Sequence, residues 1–368
     1  MVVPVELISS AEGCTYQQVL NHLNLSKNNE LYFVTRPVKN HKKTTEVRVE
    51  LLLQAILDVV KTEQQFVPYV RMELKWQNDY IEWDRDDFCN IDHVTLPAEM
   101  LWKPDLTIVE ASEIDNTLQS SRITIFYQGT VRLVNFQVLT TTCKMKVYKF
   151  PFDIQMCTLT LRSQTHDAEE MKLIPMIDTD EANDLSRMLM KIQYEWLFIS
   201  ISVTNATDEL TGMDDVTYTI FMKRRAVLYI INFLLPVLLF LALDLASFLI
   251  SDTGGEKLSF KVTLMLAITV MQLILHEFLP ASSNKIPLIA VYYIGIFALM
   301  MLSLLEAIVV ANLLEKDSSS PLEDKDCDKL LSEDCENKRS KTKQRSCERV
   351  PNGVGACLPV LVPWDQAP

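Results

Sequence analysis

Ser259, Thr263, Leu266, Val270, Leu273 and Glu277 recur at alternating steps of four and three, which places them on one face of a helix. That face passes from hydroxyl to aliphatic to acidic, and Glu256 stands just before it. The other faces carry Phe260, Val262, Leu264, Met265, Ala267, Ile268, Met271, Ile274 and Leu275. A polar stripe shielded by apolar neighbours suits the wall of a water-filled pore. One helix cannot enclose a pore, so this reading requires several copies around an axis. Glu256 and Glu277 then become rings of carboxylates, which concentrate cations and repel anions. Leu266 and Val270 become an aliphatic constriction able to close by dewetting. The alternative is an ordinary buried helix whose hydroxyls bond back to its own carbonyls.

The elements around this stripe are membrane-like. A span over 226–250 holds about 25 residues, roughly 37 Å of helix against a hydrocarbon core of about 30 Å. Pro236 lies within it, which a membrane helix tolerates, and Asn232 and Asp244 are its polar intruders. The stripe occupies a second span, 258–279, and a third covers 286–314 with Glu306 inside. Asp244 and Glu306 read either as polar groups facing neighbouring helices or as functional groups. These spans account for much of the 48% apolar content of the 368-residue chain, whose net charge is −13. A uniform cytosolic globule is excluded. With eight glycines, no GxGxxG and no GxxxxGK[ST], so is a glycine-rich nucleotide fold. The acidic balance argues against nucleic acid. The five histidines are scattered and no HExxH or GxSxG occurs, so no enzyme, metal or cofactor is expected; His166–Glu170 reads as a solvated turn.

Residues before the spans read as β-structure. Val47, Val49, Leu51 and Leu53 alternate with Glu46, Arg48 and Glu50, and Val70, Met72, Leu74 and Trp76 with Arg71, Glu73 and Lys75. Gln128-Gly129 reads as a hairpin turn. Many short strands suggest a sandwich, opened by a short helix that Thr15 and Gln18 cap. Asn24 and Asn205 head glycosylation sequons, and four of the eight cysteines (Cys14, Cys89, Cys143, Cys157) lie in this part. Together these favour an oxidising, extracellular setting.

Cys143 and Cys157 enclose thirteen residues with Phe150-Pro151-Phe152-Asp153 among them. This segment resembles the signature of the Cys-loop receptors, the pentameric ligand-gated ion channels. Trp76 and Trp83, Trp102-Lys-Pro104-Asp105, Arg224-Arg225 and Leu235-Pro236 stand in the family's order. The segment 255–281 is similar to the second membrane helix of type 3 serotonin receptor subunits. The resemblance covers roughly residues 14–314. It implies an extracellular ligand-binding β-sandwich with a short N-terminal helix, joined to an all-α transmembrane domain. It also implies five subunits in the membrane lipid, conduction of Na⁺, K⁺ and Ca²⁺, and a small extracellular ligand such as serotonin at a subunit interface. A Cys143–Cys157 bridge would close a ring worth about 3 kcal/mol in the chain-entropy model. The loop tip Phe150–Asp153 is expected to rest on the membrane domain near Ser282–Pro287, with Arg225 paired to Asp153 or Glu63 so that ligand-driven motion reaches the pore. Cys14 and Cys89, left over, are expected to bridge the opening helix to the loop after Trp83; the alternative is two separate thiols.

The sequence departs from the family at the agonist site, a cage of aromatic side chains that holds an amine by cation–π attraction. Arg71 and Gln164 stand where tryptophans belong, and the stretch around Met213 lacks tyrosine. Residues 1–13 show no signal-peptide pattern, and after Leu314 the chain is polar to 368 with no further apolar span, so the family's fourth helix is expected to be absent. Domains are therefore expected at 14–224 (extracellular), 225–314 (three spans) and 315–368 (cytosolic tail, its four cysteines reduced). The functional expectation is an accessory subunit of a heteromeric, cation-selective, serotonin type 3-like receptor at the plasma membrane, postsynaptic in setting. The alternative is a truncated, non-conducting assembly partner that suppresses full subunits.

Overall fold

A computed structural model describes residues 14–25, 29–115, 122–190, 195–250, 256–279 and 285–318. Both β-sheets belong to one compact unit that ends at Asn312. The tail cysteines, Ser26 of the first sequon and residues 280–284 lie outside the described residues.

Helix α1 (Tyr16–His22) opens the fold. The Thr15 side chain accepts from the Gln18 amide and the Gln18 side chain from the Thr15 amide, so two otherwise orphaned donors are satisfied. Eleven strands come next among the described residues, in two sheets. Seven build one sheet: β3 (His93–Pro97), β6 (Arg122–Phe126), β7 (Thr130–Thr142), β2 (Gln65–Gln77), β1 (Thr45–Val60) and β9 (Met171–Pro175) in that order, with β5 (Ala111–Asp115) also on β7. The other runs β10 (Trp196–Thr207), β11 (Asp214–Arg224), β8 (Ile154–Ser163), β4 (Leu106–Ile108).

The period-two pattern of β1 delivers Val47, Val49, Leu51 and Leu53 to the core, all fully buried, against Leu159, Leu161, Tyr218 and Ile220 of the second sheet. The Tyr218 hydroxyl donates to the Val49 carbonyl at 3.3 Å and ties the sheets together. Helix α2 (Thr179–Leu189), unanticipated from the hydrophobic pattern, is capped by Asp178 and lies against β1 and β10.

Among the described residues three helices are long and apolar enough to cross a membrane: Val227–Leu249, Glu256–Glu277 and Leu288–Lys316. The first contains a π-helical stretch, Ile230–Leu234, directly before Leu235-Pro236. Pro236 has no N–H and its ring crowds the carbonyl of the preceding turn, and the widened turn makes room for it. Phe233 and Val237 of the first helix, Leu264, Ile268 and Leu275 of the second, and Ile289, Tyr293, Ile296 and Met300 of the third form their common core.

The turn between β6 and β7 depends on Gly129. Its φ is +81°, and an added Cβ would fall 2.4 Å from the Ile81 carbonyl oxygen and 2.6 Å from that of Asn78. Gly129→Ala should therefore destabilise the protein by about 2–4 kcal/mol. Thermal unfolding of the purified chain in detergent measures this, and an unchanged midpoint would show that the turn rearranges at no cost.

Candidate functional site

Every residue of the stripe is exposed: Glu256, Ser259, Thr263, Leu266, Val270, Leu273 and Glu277. Leu266 and Leu273 keep 64% and 68% of their surface. The buried side of the same helix carries Lys261, Leu264, Ile268 and Leu275. The Thr263 hydroxyl does bond back to the Ser259 carbonyl at 2.9 Å, but on the exposed face, where its oxygen still accepts from water. The pattern is therefore not that of a helix buried all round.

A second cluster joins the sandwich to the spans. The loop Cys143–Cys157 is closed by a disulfide, and Gln155 braces its interior by bonding both the amide and the carbonyl of Lys146. Phe150 at its tip is buried in the core of the three helices, 5.0 Å edge-on from Tyr229. Pro151 comes after it through a cis peptide bond, and Phe152 is exposed. Asp153 is buried and accepts from Nε and Nη2 of Arg224 at 2.8 and 2.9 Å. Arg224 also bonds Glu195 and lies 4.0 Å over the Trp196 ring. Lys61, in the β1–β2 turn, donates to the Tyr229 hydroxyl at 3.0 Å and stands 3.4 Å from Glu195, and the Tyr229 hydroxyl donates to Glu195 at 2.8 Å.

Two cations and two anions thus neutralise one another around three aromatic rings. Burial alone would favour neutral carboxyls, yet the Arg224 guanidinium holds Asp153 below its ordinary value. Burial is likewise outweighed at Glu195 by Lys61, the Tyr229 hydrogen bond and Arg224. Lys61 is pushed down, by burial first and by the like charge of Arg224 second.

A third cluster lies on the face of β1, β2 and β7. Glu73 is buried beneath three cations, with Arg132 Nε at 2.6 Å, Lys75 Nζ at 3.0 Å and Arg71 also bonded to it. Arg71 reaches Glu50 at 2.6 Å as well. Cross-strand register makes the cluster: Arg132 faces Lys75, and Glu50 faces Glu73. Burial opposes ionisation of Glu73, but hydrogen bonds from Arg132 and Lys75, and their charges, hold its carboxyl at about 2.

Comparison with known proteins places these features. The model of the neurotransmitter-gated ion-channel ligand binding domain matches residues 18–226, and that of the neurotransmitter-gated ion-channel transmembrane region matches 233–352. The chain belongs to the neurotransmitter-gated ion-channel family. Relatives include 5-hydroxytryptamine receptor 3A of Mus musculus, 28% identical over 78% of this chain and 60% of its own length. Human 5-hydroxytryptamine receptor 3E is 31% identical over 78% of this chain and 63% of its own. The human neuronal acetylcholine receptor subunit alpha-9 is 32% identical over 83% and 62%. The chain spans about three fifths of the length of these relatives. The family consists of ligand-gated channels, not enzymes. Membership and the three apolar helices make this a membrane protein whose N-terminal domain is extracellular.

In this family member the junction differs from the sequence expectation in two respects. The partner of Asp153 is Arg224, not Arg225, and Glu63 takes no part in the cluster. The cause is strand parity: in β11 the even positions 214–224 are buried, so Arg224 points inward while Arg225 is exposed. Glu63 is exposed in a turn whose inward residue is Lys61. The expected contact at Ser282–Pro287 falls partly outside the described residues, but the Leu288 amide donates to the Tyr148 carbonyl at 2.9 Å. Glu73, alternation placing it outward, is instead covered by its three cations.

The residues expected at the agonist site have the following surroundings. Arg71 is held by two carboxylates, Gln164 is exposed and Met213 is half-buried. Cys14 and Cys89 are bonded, their Cα atoms 5.8 Å apart. Asn24 is exposed in a left-handed conformation with φ +50°, and exposed Asn205 in β10 donates to the Leu173 carbonyl at 2.7 Å. Asp244 is buried and Glu306 exposed.

Arg224→Ala leaves Asp153 buried and unpaired and should cost about 3–5 kcal/mol, whereas Arg225→Ala should stay within about 0.5 kcal/mol. Thermal unfolding in detergent ranks them, and equal effects would remove the inward–outward assignment. Because the folded pKa of Glu73 is depressed from 4.5 to about 2, the stability it contributes is present above 4.5 and lost as pH falls towards 2. Glu73→Gln should flatten acid unfolding across that window, and an unaltered acid limb would contradict the assignment.

Proposed function

We propose that this chain is a subunit of a pentameric, cation-selective, neurotransmitter-gated channel, with the second span lining the pore. The carrying observation is the exposure of all seven stripe residues on the side of the helix away from its packing. Five such stripes around an axis would put carboxylate rings at Glu256 and Glu277 and an aliphatic constriction at Leu266 and Val270. The Phe150–Asp153 loop, with Arg224, Lys61 and Glu195, would transmit motion of the sandwich to the first span at Tyr229. The domains are 14–224 outside and 225–314 in the membrane.

The same reading makes the subunit accessory in a heteromer that answers to a small extracellular ligand such as serotonin. Arg71 replaces an aromatic cage residue and is locked by Glu50 and Glu73, so it offers a cation where an ammonium needs a π-face. Two glycans, at Asn24 and Asn205, would sit on the extracellular domain. Residence at the plasma membrane is part of the proposal.

The test is expression alone and with a full-length type 3 serotonin receptor subunit, with surface biotinylation and whole-cell current as readouts. Alone, the chain should give no serotonin current. Together, it should reach the surface and change the conductance or agonist sensitivity of the partner's current. A robust serotonin current from the chain alone would contradict the accessory role. Suppression without any altered conductance would favour a non-conducting assembly partner, and absence of both surface label and effect would sink the subunit reading.

A further inference from the structure

The three spans share one buried ionic contact that the stripe does not use. Lys261 of the second span and Asp244 of the first are each 1% exposed, with Nζ 2.9 Å from Oδ1. The same ammonium donates to the Ser303 hydroxyl of the third span and lies 4.5 Å over the Phe248 ring. One side chain of the stripe helix is therefore bound to both neighbours at a single depth. Ser247, buried beside it, donates to the Asp244 carbonyl and fixes the turn that carries the carboxylate.

The position of this lysine matters because of what flanks it. Lys261 lies between Ser259 and Thr263, two residues from each, and two residues turn an α-helix by about 200°. Its Cα therefore sits almost opposite the stripe. An ammonium is costly in an apolar interior without a counter-charge, and a lysine stem is long and flexible enough to carry its charge to the nearest water. Once Asp244 is gone, the stripe is water to which the lysine stem could carry the ammonium. In a ring of subunits the consequence would be a belt of positive charge between Ser259 and Thr263, next to the Glu256 carboxylates.

We propose that Asp244 is a positioning residue for ion selectivity: it holds the Lys261 ammonium on the far side of the second span and keeps that charge out of a cation path. Ser303 assists by accepting a hydrogen bond from the ammonium and fixing its direction. The inference rests on the channel reading for its consequence, but not for the placement of Lys261, so the two can fail separately.

The experiment uses the full chain in membranes with its co-expressed full-length partner. A water-soluble N-hydroxysuccinimide ester acylates accessible lysines, and peptide mass mapping scores each site, with buried Lys61 of the sandwich as the folding control. In the unmodified chain Lys261 should remain unacylated. Asp244→Asn should raise acylation of Lys261 at least tenfold while Lys61 stays protected, and the reversal potential in a salt-dilution gradient should shift towards that of chloride. The Asp244→Lys/Lys261→Asp exchange should restore the original reversal potential. If Asp244→Asn also exposes Lys61, the exchange variant decides, and its failure to restore selectivity overturns the proposal. Unchanged acylation of Lys261 in a folded Asp244→Asn protein overturns the placement, and increased acylation with an unchanged reversal potential overturns the role in selectivity. If the unmodified complex carries no current that depends on this chain, the channel reading fails while the acylation result still decides the placement.

Discussion

The junction depends on a guanidinium that has no access to water. Arg224 is 2% exposed, and Asp153, Glu195 and the faces of Trp196, Phe150 and Tyr229 compensate the loss of its hydration. Removing one partner from a buried pair costs more than the pair contributes, because the remaining charge stays in a medium that solvates it poorly. The Cys143–Cys157 loop, the end of β11 and the start of the first span are therefore obliged to stay in register. Phe150 then has one place to go, among the side chains of the three helices. The cluster and Phe150 together join the sandwich to the start of the first span, which is the contact that the proposed coupling needs.

The helix bundle shows the complementary arrangement. Among the described residues its buried polar side chains are Asp244, Ser247, Lys261 and Ser303, and its second helix leaves the hydroxyl, aliphatic and acidic stripe exposed. An exposed carboxylate such as Glu277 does not suit lipid, and an exposed leucine such as neighbouring Leu273 does not suit open water. A shared aqueous axis would resolve both, since it hydrates the carboxylates and lets the aliphatic residues face each other across a narrow constriction. On the face of β1, β2 and β7 the ionic ladder of Glu50, Arg71, Glu73, Lys75 and Arg132 turns the same constraint to another end, covering a buried carboxylate with paired charges.

Much of this is legible in the residues because it comes from local periodicity. The α1 cap, the alternation of β1 and the stepping of Ser259 to Glu277 need only the geometry of one element, and the Phe150–Asp153 loop carries a family signature. The rest is set by parity or by contact across elements. Arg224 and Arg225 are adjacent and chemically identical, and only the register of β11 decides which turns inward. Lys61 reads as one charge in a polar turn, because Glu195 and Tyr229 reach it from 134 and 168 positions away in the chain. Asp244 is visible as an intruder in an apolar span, but its pairing with Lys261 needs the packing of two helices. Helix α2 escapes for a different reason: its Asp178-x-x-Glu181 start is present, but its polar surface gives no long apolar stripe.

A channel subunit built this way must turn the stripe towards water in the assembled protein while the opposite side of the same helix stays dry. Single cysteines at Thr263 and Leu266, and at Leu264 and Ile268, can be compared in intact cells by their reaction with a small cationic thiosulfonate, counted against the unmodified chain. Modification is expected at Thr263 and Leu266 and protection at Leu264 and Ile268. Modification of Leu264 and Ile268 with protection of Thr263 and Leu266 would contradict it.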